Sequence, residues 1–133
     1  MKPKLKIYLD TSVPNFLFAD DAPEKKNITI DFFENFISKG KYHAYISEFV
    51  IAEIEDTRNE EKRTKLFTTL SKYPIDVVQI TDQTEVNELA QKYMDAGIIP
   101  ANKVMDALHI AVSVVYGINV LVSWNYRHFS KHQ

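Results

Sequence analysis

Short apolar segments alternate along this sequence with longer segments in which apolar residues recur every three or four positions. The short segments are typical of strands covered on both faces of a sheet, and the longer ones of amphipathic helices. Strands are predicted at about residues 5–9, 42–46, 76–80 and 119–123. Helices are predicted at about residues 23–39, 48–55, 60–71, 84–96 and 102–116, after a short one that begins near residue 12. In the helix at 23–39, the predicted core residues are Ile28, Phe32, Phe33, Phe36 and Ile37.

Residues at the predicted helix ends support this alternation. Each of the three glycines, Gly40, Gly97 and Gly117, follows a helical pattern, at the position where a left-handed residue commonly ends a helix. Ser12 and Ser47 stand at helix starts, where their hydroxyl groups are predicted to cap the helix. Strands separated by helices imply a parallel sheet with right-handed crossovers. The sequence therefore predicts an α/β protein.

The helix predicted at residues 102–116 is apolar on nearly every side, which is typical of a central, buried helix. Asn102 is predicted to cap its start. Its polar residues are spaced three or four positions apart, and they are Asn102, Asp106, His109, Ser113 and Tyr116. This spacing places them in one stripe, which either faces a cleft or is paired internally.

Four polar side chains stand at the ends or edges of apolar elements, and they are Asp10, Glu53, Asp106 and Asn125. Asp10 and Asn125 follow predicted strands, and open parallel sheets bind ligands beyond the carboxyl ends of their strands. Burying an ionised carboxylate costs several kcal/mol unless a cation or hydrogen-bond donors compensate it. Oxygen ligands without cysteine or clustered histidine suit Mg²⁺ or Mn²⁺, which catalyse phosphodiester hydrolysis. The sequence therefore predicts one shared divalent cation.

Each candidate residue also has an ordinary structural interpretation. Asp10 could begin a turn and cap a helix, Glu53 could lie along the surface, and Asp106 could complement the helix dipole. Asn125 could be a turn residue, and His109 could be a hydrogen-bonded core histidine instead of a ligand or base. The sequence leaves these alternatives open.

Composition limits the class of protein. A length of 133 residues fits one domain, and 45% hydrophobic residues indicate a folded globular chain. The absence of cysteine excludes disulfides and thiolate metal sites, and no glycine-rich phosphate loop is present. The net charge of −2 gives no overall attraction to nucleic acid, although basic residues cluster at 58–72 and 127–132. Since neither a signal peptide nor an apolar run of ~18 residues is present, a cytoplasmic protein without a membrane partner is expected.

Four segments together resemble the PIN-domain family of metal-dependent ribonucleases, and in particular the VapC-like toxins of toxin–antitoxin systems. The segments are residues 7–12, 47–54, 106–111 and 121–129, in the order found in the family. The resemblance implies a three-layer α/β/α sandwich with a central parallel sheet of four to five strands. It also implies a single PIN-like domain over residues 1–133, which is expected to lack the final edge strand of relatives.

The resemblance also implies a role for each candidate residue. The metal-binding carboxylates of the family fall on Asp10, Glu53 and Asp106, and a supporting hydroxyl of the cofactor site falls on Ser12. The fourth acidic position falls on Asn125, a neutral residue that binds cations less strongly. The implied catalytic set is therefore Asp10, Glu53, Asp106 and Asn125, with Mg²⁺ or Mn²⁺ as the cofactor.

The sequence is interpreted as a metal-dependent endoribonuclease that hydrolyses single-stranded RNA. The resemblance implies a toxin-type protein that forms a homodimer and has an antitoxin partner. One alternative is a catalytically weak or inactive PIN-fold module that binds RNA or another protein, and the neutral Asn125 favours it. Another is a phosphatase with an aspartyl nucleophile at Asp10, although Ser12 stands where such an enzyme is expected to carry a second acid.

Overall fold

The structure is a computed structural model, and it describes residues 3–125. Strands and helices follow one another in the predicted order. The strands are β1 (Lys6–Leu9), β2 (His43–Ser47), β3 (Ile75–Val78) and β4 (Val120–Val122). The helices are α1 (Ser12–Phe16), α2 (Pro23–Phe32), α3 (Glu48–Glu55), α4 (Glu60–Ser71), α5 (Gln83–Asp95) and α6 (Val104–Val115), and a π-helical turn (Phe33–Ile37) continues α2.

The strands form a four-stranded parallel sheet in the order β3–β2–β1–β4. β1 lies inside this sheet, and its residues Ile7, Tyr8 and Leu9 are at most 3% exposed. Burial of consecutive residues, which point to opposite faces, means that both faces of β1 are covered. The predicted α/β class, with helices flanking a central parallel sheet, is confirmed.

Local sequence signals predict several helix ends correctly. Gly40, Gly97 and Gly117 have φ angles of 65°, 72° and 66°, which is the left-handed conformation predicted for them. Ser47 caps α3, because its hydroxyl accepts a hydrogen bond from the backbone N–H of Phe49 at 3.2 Å. The helix predicted at residues 60–71 has those bounds in the structure.

Two predicted helix caps are wrong. Ser12 is the first residue of α1 and not its cap, because its hydroxyl donates to Oδ1 of Asp10 instead of accepting from the helix. Asn102 lies in a turn closed by the hydrogen bond from Lys103 N to Pro100 O, at 2.9 Å. The turn delays the start of α6, so that Lys103 occupies the cap position without a side-chain cap.

The core predicted for the helix at residues 23–39 is wrong at Ile28, which lies on α2 and is 52% exposed. The neighbouring Thr29 is buried instead, four positions before the buried Phe33 and on the same helical face. The Thr29 hydroxyl donates to the carbonyl oxygen of Lys25 at 2.7 Å and accepts from Nε1 of Trp124 at 3.0 Å. These hydrogen bonds offset the cost of burying a hydroxyl group.

Some predictions concern residues 126–133, which lie outside the described part of the chain. These are the basic cluster at 127–132 and the end of the last motif segment. The single domain, the missing edge strand and the homodimer stay predictions. Within residues 3–125, no helix is long and apolar enough to cross a membrane.

Candidate active site

The sheet topology brings together the ends of two strands that are distant in sequence. β1 and β4 pair in parallel with Leu9 opposite Val122, so Asp10 and Ser123 directly follow adjacent strand ends. β2 and β3 lie on one side of β1, and β4 lies on the other. Open parallel sheets bind ligands at such a reversal of strand order, beyond the carboxyl ends of the strands.

Asp10 is held at this reversal by hydroxyl groups from both strand ends. It is 1% exposed. Its Oδ1 accepts hydrogen bonds from Ser12 N at 3.0 Å and Ser12 Oγ at 2.5 Å, and its Oδ2 accepts from Ser123 Oγ at 2.5 Å. The two serines also accept hydrogen bonds from Trp124 N and Asn125 N, both at 2.9 Å. Asp10 therefore does form a turn, as the structural interpretation suggested, and the turn fixes its carboxylate at the strand ends.

Glu53 projects from α3 to the same region and is held by two donors. Its side chain is 31% exposed. Oε1 accepts a hydrogen bond from Thr11 Oγ1 and another from His109 Nε2, both at 2.6 Å. Burial favours the protonated acid, but the hydrogen bonds from His109 and Thr11 outweigh it and hold the pKa of Glu53 below its ordinary value. Glu53 is therefore an anchored carboxylate and not a surface side chain without partners.

His109 is paired internally, which agrees with the interpretation as a core histidine. It is 2% exposed, and its Nδ1 lies 2.6 Å from the hydroxyl of Tyr8. The Tyr8 hydroxyl in turn lies 2.6 Å from Ser47 Oγ, and burial raises the pKa of Tyr8 well above its ordinary value. Ser113, from the same predicted polar stripe, donates to the backbone carbonyl of His109 at 3.1 Å.

Asp106 lies in the first turn of α6 and borders open space. Together with Asn125 it lines a cleft of about 340 Å³. Burial raises the pKa of Asp106, and the negative charge of Asp10 and, to a smaller extent, that of Glu53 raise it further against nearby positive charges. Asp106 is therefore within electrostatic reach of both other carboxylates.

This donor set fits a hard divalent cation that binds few protein ligands. Within residues 3–125, no group of three histidine or acidic side chains is arranged to hold a metal ion on its own. Mg²⁺ commonly binds one or two carboxylates and retains several waters, so an open site of this kind suits it. The mutual repulsion that raises the pKa of Asp106 is the kind of charge accumulation that a cation offsets. Joint ligation of one cation by Asp10, Glu53 and Asp106 stays a prediction.

Sequence reasoning missed several residues that organise this site: Thr11, Ser123, Tyr8 and Ser47 as a side-chain partner. Thr11 and Ser123 had one usable signal, since both are hydroxyl residues directly after apolar strand segments. The roles of Tyr8 and Ser47 depend on contacts between β1, β2 and α6, and periodicity gives no signal for them.

Comparisons with known proteins agree with this architecture. The family model of the PIN domain matches residues 7–132. Among solved structures, the chain is similar to VapBC2 from Rickettsia felis bound to a DNA fragment from its promoter, with a TM-score of 0.61 and 18% identity. That match covers 96% of this chain and 92% of the other, and at this identity it shows the fold. No curated protein matches the chain. Because the family model spans nearly the whole sequence, the chain belongs to the PIN-domain family.

Proposed function

We propose that this chain is a Mg²⁺- or Mn²⁺-dependent endoribonuclease that hydrolyses phosphodiester bonds of single-stranded RNA. The observation that carries the proposal is the position of Asp10. It is buried at the end of a central strand, within electrostatic reach of Asp106, which borders an open cleft. The chain belongs to the PIN-domain family, whose nucleases act on phosphodiester bonds, and this supports phosphodiester hydrolysis as the reaction at this site.

In the proposed mechanism, a divalent cation would, when bound, supply an activated water and offset negative charge on the phosphoryl group. Asp10, Asp106 and Glu53 would hold it. Ser12 acts through Asp10, because its hydroxyl donates to the Asp10 carboxylate. Asn125 lines the cleft beside Asp106, where its amide group is suited to donate to a phosphate oxygen.

The toxin-type role is the finer part of the proposal. It is supported by the sequence segments shared with VapC-like toxins and by the similarity in fold to VapBC2. On this basis we propose an antitoxin protein as partner and a homodimer as the assembled state. An antitoxin that occludes the cleft between Asp106 and Asn125 would block substrate access.

Removal of the metal tests the proposed function directly. With end-labelled single-stranded RNA, cleavage in Mn²⁺ or Mg²⁺ is expected to fall at least about 100-fold on addition of EDTA and to return with excess metal. Single-stranded DNA and double-stranded RNA of the same sequence serve as substrate controls. The Asp10→Asn protein, purified in parallel, measures any contaminating nuclease. Cleavage that persists in EDTA would contradict the proposal.

The inactive-module alternative has specific support, because the fourth acidic position of the family falls on the neutral Asn125 and both carboxylate oxygens of Asp10 already accept hydrogen bonds. It predicts RNA binding without cleavage in either metal, with equal affinity for the wild-type protein and the Asp10→Asn variant.

Substitution of Asn125 by Asp is expected to tighten Mn²⁺ binding by about tenfold, because it adds a charged oxygen to the cleft that Asp106 lines. Isothermal titration calorimetry would measure the change in affinity. Asn119→Asp is the matched control: Asn119 lies before β4, where its side-chain oxygen accepts from Lys6 N at 2.9 Å, and this variant should leave the affinity unchanged. Equal affinity of the Asn125→Asp and wild-type proteins would separate Asn125 from the metal site.

A further inference from the structure

We propose that His109 is a positioning residue that fixes one carboxylate oxygen of Glu53 and thereby leaves the other oxygen available to a divalent cation. The inference rests on the proposed function and deepens it, because it concerns how the same metal site is held in place. His109 itself lies behind Glu53, buried in the core, and is not proposed to bind metal or RNA.

The contacts of His109 form a continuous series across four elements, β2, β1, α6 and α3. From Ser47 Oγ the series passes to the hydroxyl of Tyr8, to Nδ1 of His109, and from Nε2 to Oε1 of Glu53, with 2.6 Å at each step. Ser47 caps the start of α3, and Glu53 lies near the end of the same helix. The series, termed here the His109 network, therefore ties both parts of α3 to β1 and α6.

The direction of hydrogen bonding within the His109 network follows from the charge of Glu53. A carboxylate that ligates a cation is ionised and only accepts hydrogen bonds, and Oε1 of Glu53 lies 2.6 Å from Nε2 of His109. His109 Nε2 must therefore carry a proton and donate it to Oε1. A tyrosine hydroxyl carries its proton at neutral pH, so the Tyr8 hydroxyl, 2.6 Å from Nδ1, is able to donate to that atom.

The two oxygens of Glu53 consequently differ. Oε1 accepts from both His109 and Thr11, whereas Oε2 accepts no hydrogen bond from any residue between 3 and 125. A carboxylate held through one oxygen by a histidine and a hydroxyl has a fixed orientation, and its other oxygen is left for a ligand. Residues that hold metal ligands in this way typically contribute a factor of 10–100 to metal affinity or activity.

Two substitutions of His109 distinguish positioning from general support of the core. In His109→Gln, the amide nitrogen stands in for Nε2 and is able to donate to Glu53. In His109→Asn, the shorter amide stands in for Nδ1 and does not reach Glu53. Mn²⁺ affinity, measured by calorimetry without RNA, is expected to fall 10–100-fold in His109→Asn and to stay near wild type in His109→Gln. Ser113→Ala, which removes a buried hydrogen bond from the same helix, should leave the affinity unchanged.

A double-mutant cycle with Glu53→Gln tests whether His109 acts through Glu53. If it does, His109→Asn adds no further loss of Mn²⁺ affinity once Glu53 is replaced. A loss that adds in full, or wild-type affinity in His109→Asn, would overturn the inference and leave the proposed function intact. If the wild-type protein binds no Mn²⁺ and cuts no RNA, both fail together. Should His109→Asn not fold, Tyr8→Phe provides the same comparison, because it removes the hydroxyl that orients Nδ1; unchanged affinity there would count against positioning.

Discussion

Replacement of Asp10 by Asn is expected to reduce metal-dependent cleavage of single-stranded RNA by at least about 100-fold. Changes to residues that merely hold metal ligands already cost 10–100-fold, and Asp10 is a proposed ligand itself. Asn keeps the oxygen that accepts from Ser12 but places an amide NH₂ against Ser123. The Ser123 hydroxyl is able to accept from this group, so one charge-assisted hydrogen bond becomes a neutral one. The free energy of unfolding should therefore fall by only about 1 kcal/mol.

Cleavage rates and urea unfolding, measured on the same preparations, check both parts of this prediction. Asp31→Asn is a matched control, because Asp31 is an exposed carboxylate on α2 that accepts a hydrogen bond from Asn35. A purely structural Asp10 instead predicts wild-type cleavage in the variant, whatever the loss of stability. That outcome would remove Asp10 from the catalytic set.

Replacement of Asp106 by Asn is expected to abolish cleavage to a similar extent and, unlike the Asp10 variant, to stabilise the metal-free protein at neutral pH. The pKa of Asp106 is raised in the folded protein by burial and by the charge of Asp10. A carboxyl with a raised pKa binds its proton more tightly when folded. Stability is therefore greatest below the ordinary pKa of Asp and is lost as the pH rises through the folded-state value. Asn does not ionise, so the variant escapes this loss.

Unfolding in EDTA at acidic and neutral pH provides the measurement. The Asp106→Asn and wild-type proteins should have similar free energies of unfolding below the ordinary pKa of Asp, and the variant should be the more stable at pH 7. Asp95→Asn, which changes an exposed carboxylate at the end of α5, should show no such difference. Lower stability of Asp106→Asn at pH 7 would contradict the electrostatic account of the site.

Features that depend on neighbouring residues were predictable from the sequence. Gly40, Gly97 and Gly117 end helices because a left-handed backbone favours a residue without a side chain. Ser47 caps α3 through its own local backbone. The apolar run of β1 identified a strand covered on both faces. These signals, taken in order along the chain, were sufficient for the α/β class and the parallel sheet.

Predictions failed where a hydrogen bond that hydrophobic periodicity does not encode decided the outcome. The spacing of apolar residues favoured Ile28 as a core residue. In the structure, Thr29, which is rotated about 100° from Ile28 around the helix, faces the core instead. The hydroxyl of Thr29 accepts a hydrogen bond from Trp124, which offsets the cost of burying it. Serine commonly caps helices, but the hydroxyl of Ser12 donates its hydrogen bond to the carboxylate of Asp10 instead.

The sequence by itself determined which residue types could carry the chemistry and which elements they occupy. It placed Asp10 at a strand end and Asp106 in the first turn of a helix. Only the tertiary structure decided how these groups are held. The pairing of β1 with β4 brings Ser123 to Asp10 across 113 positions, and α6 brings His109 to Glu53 across 56. The physical reason is that a hydrogen bond requires a specific approach of two atoms within about 3 Å, and such an approach between distant segments leaves no trace in local hydrophobic periodicity.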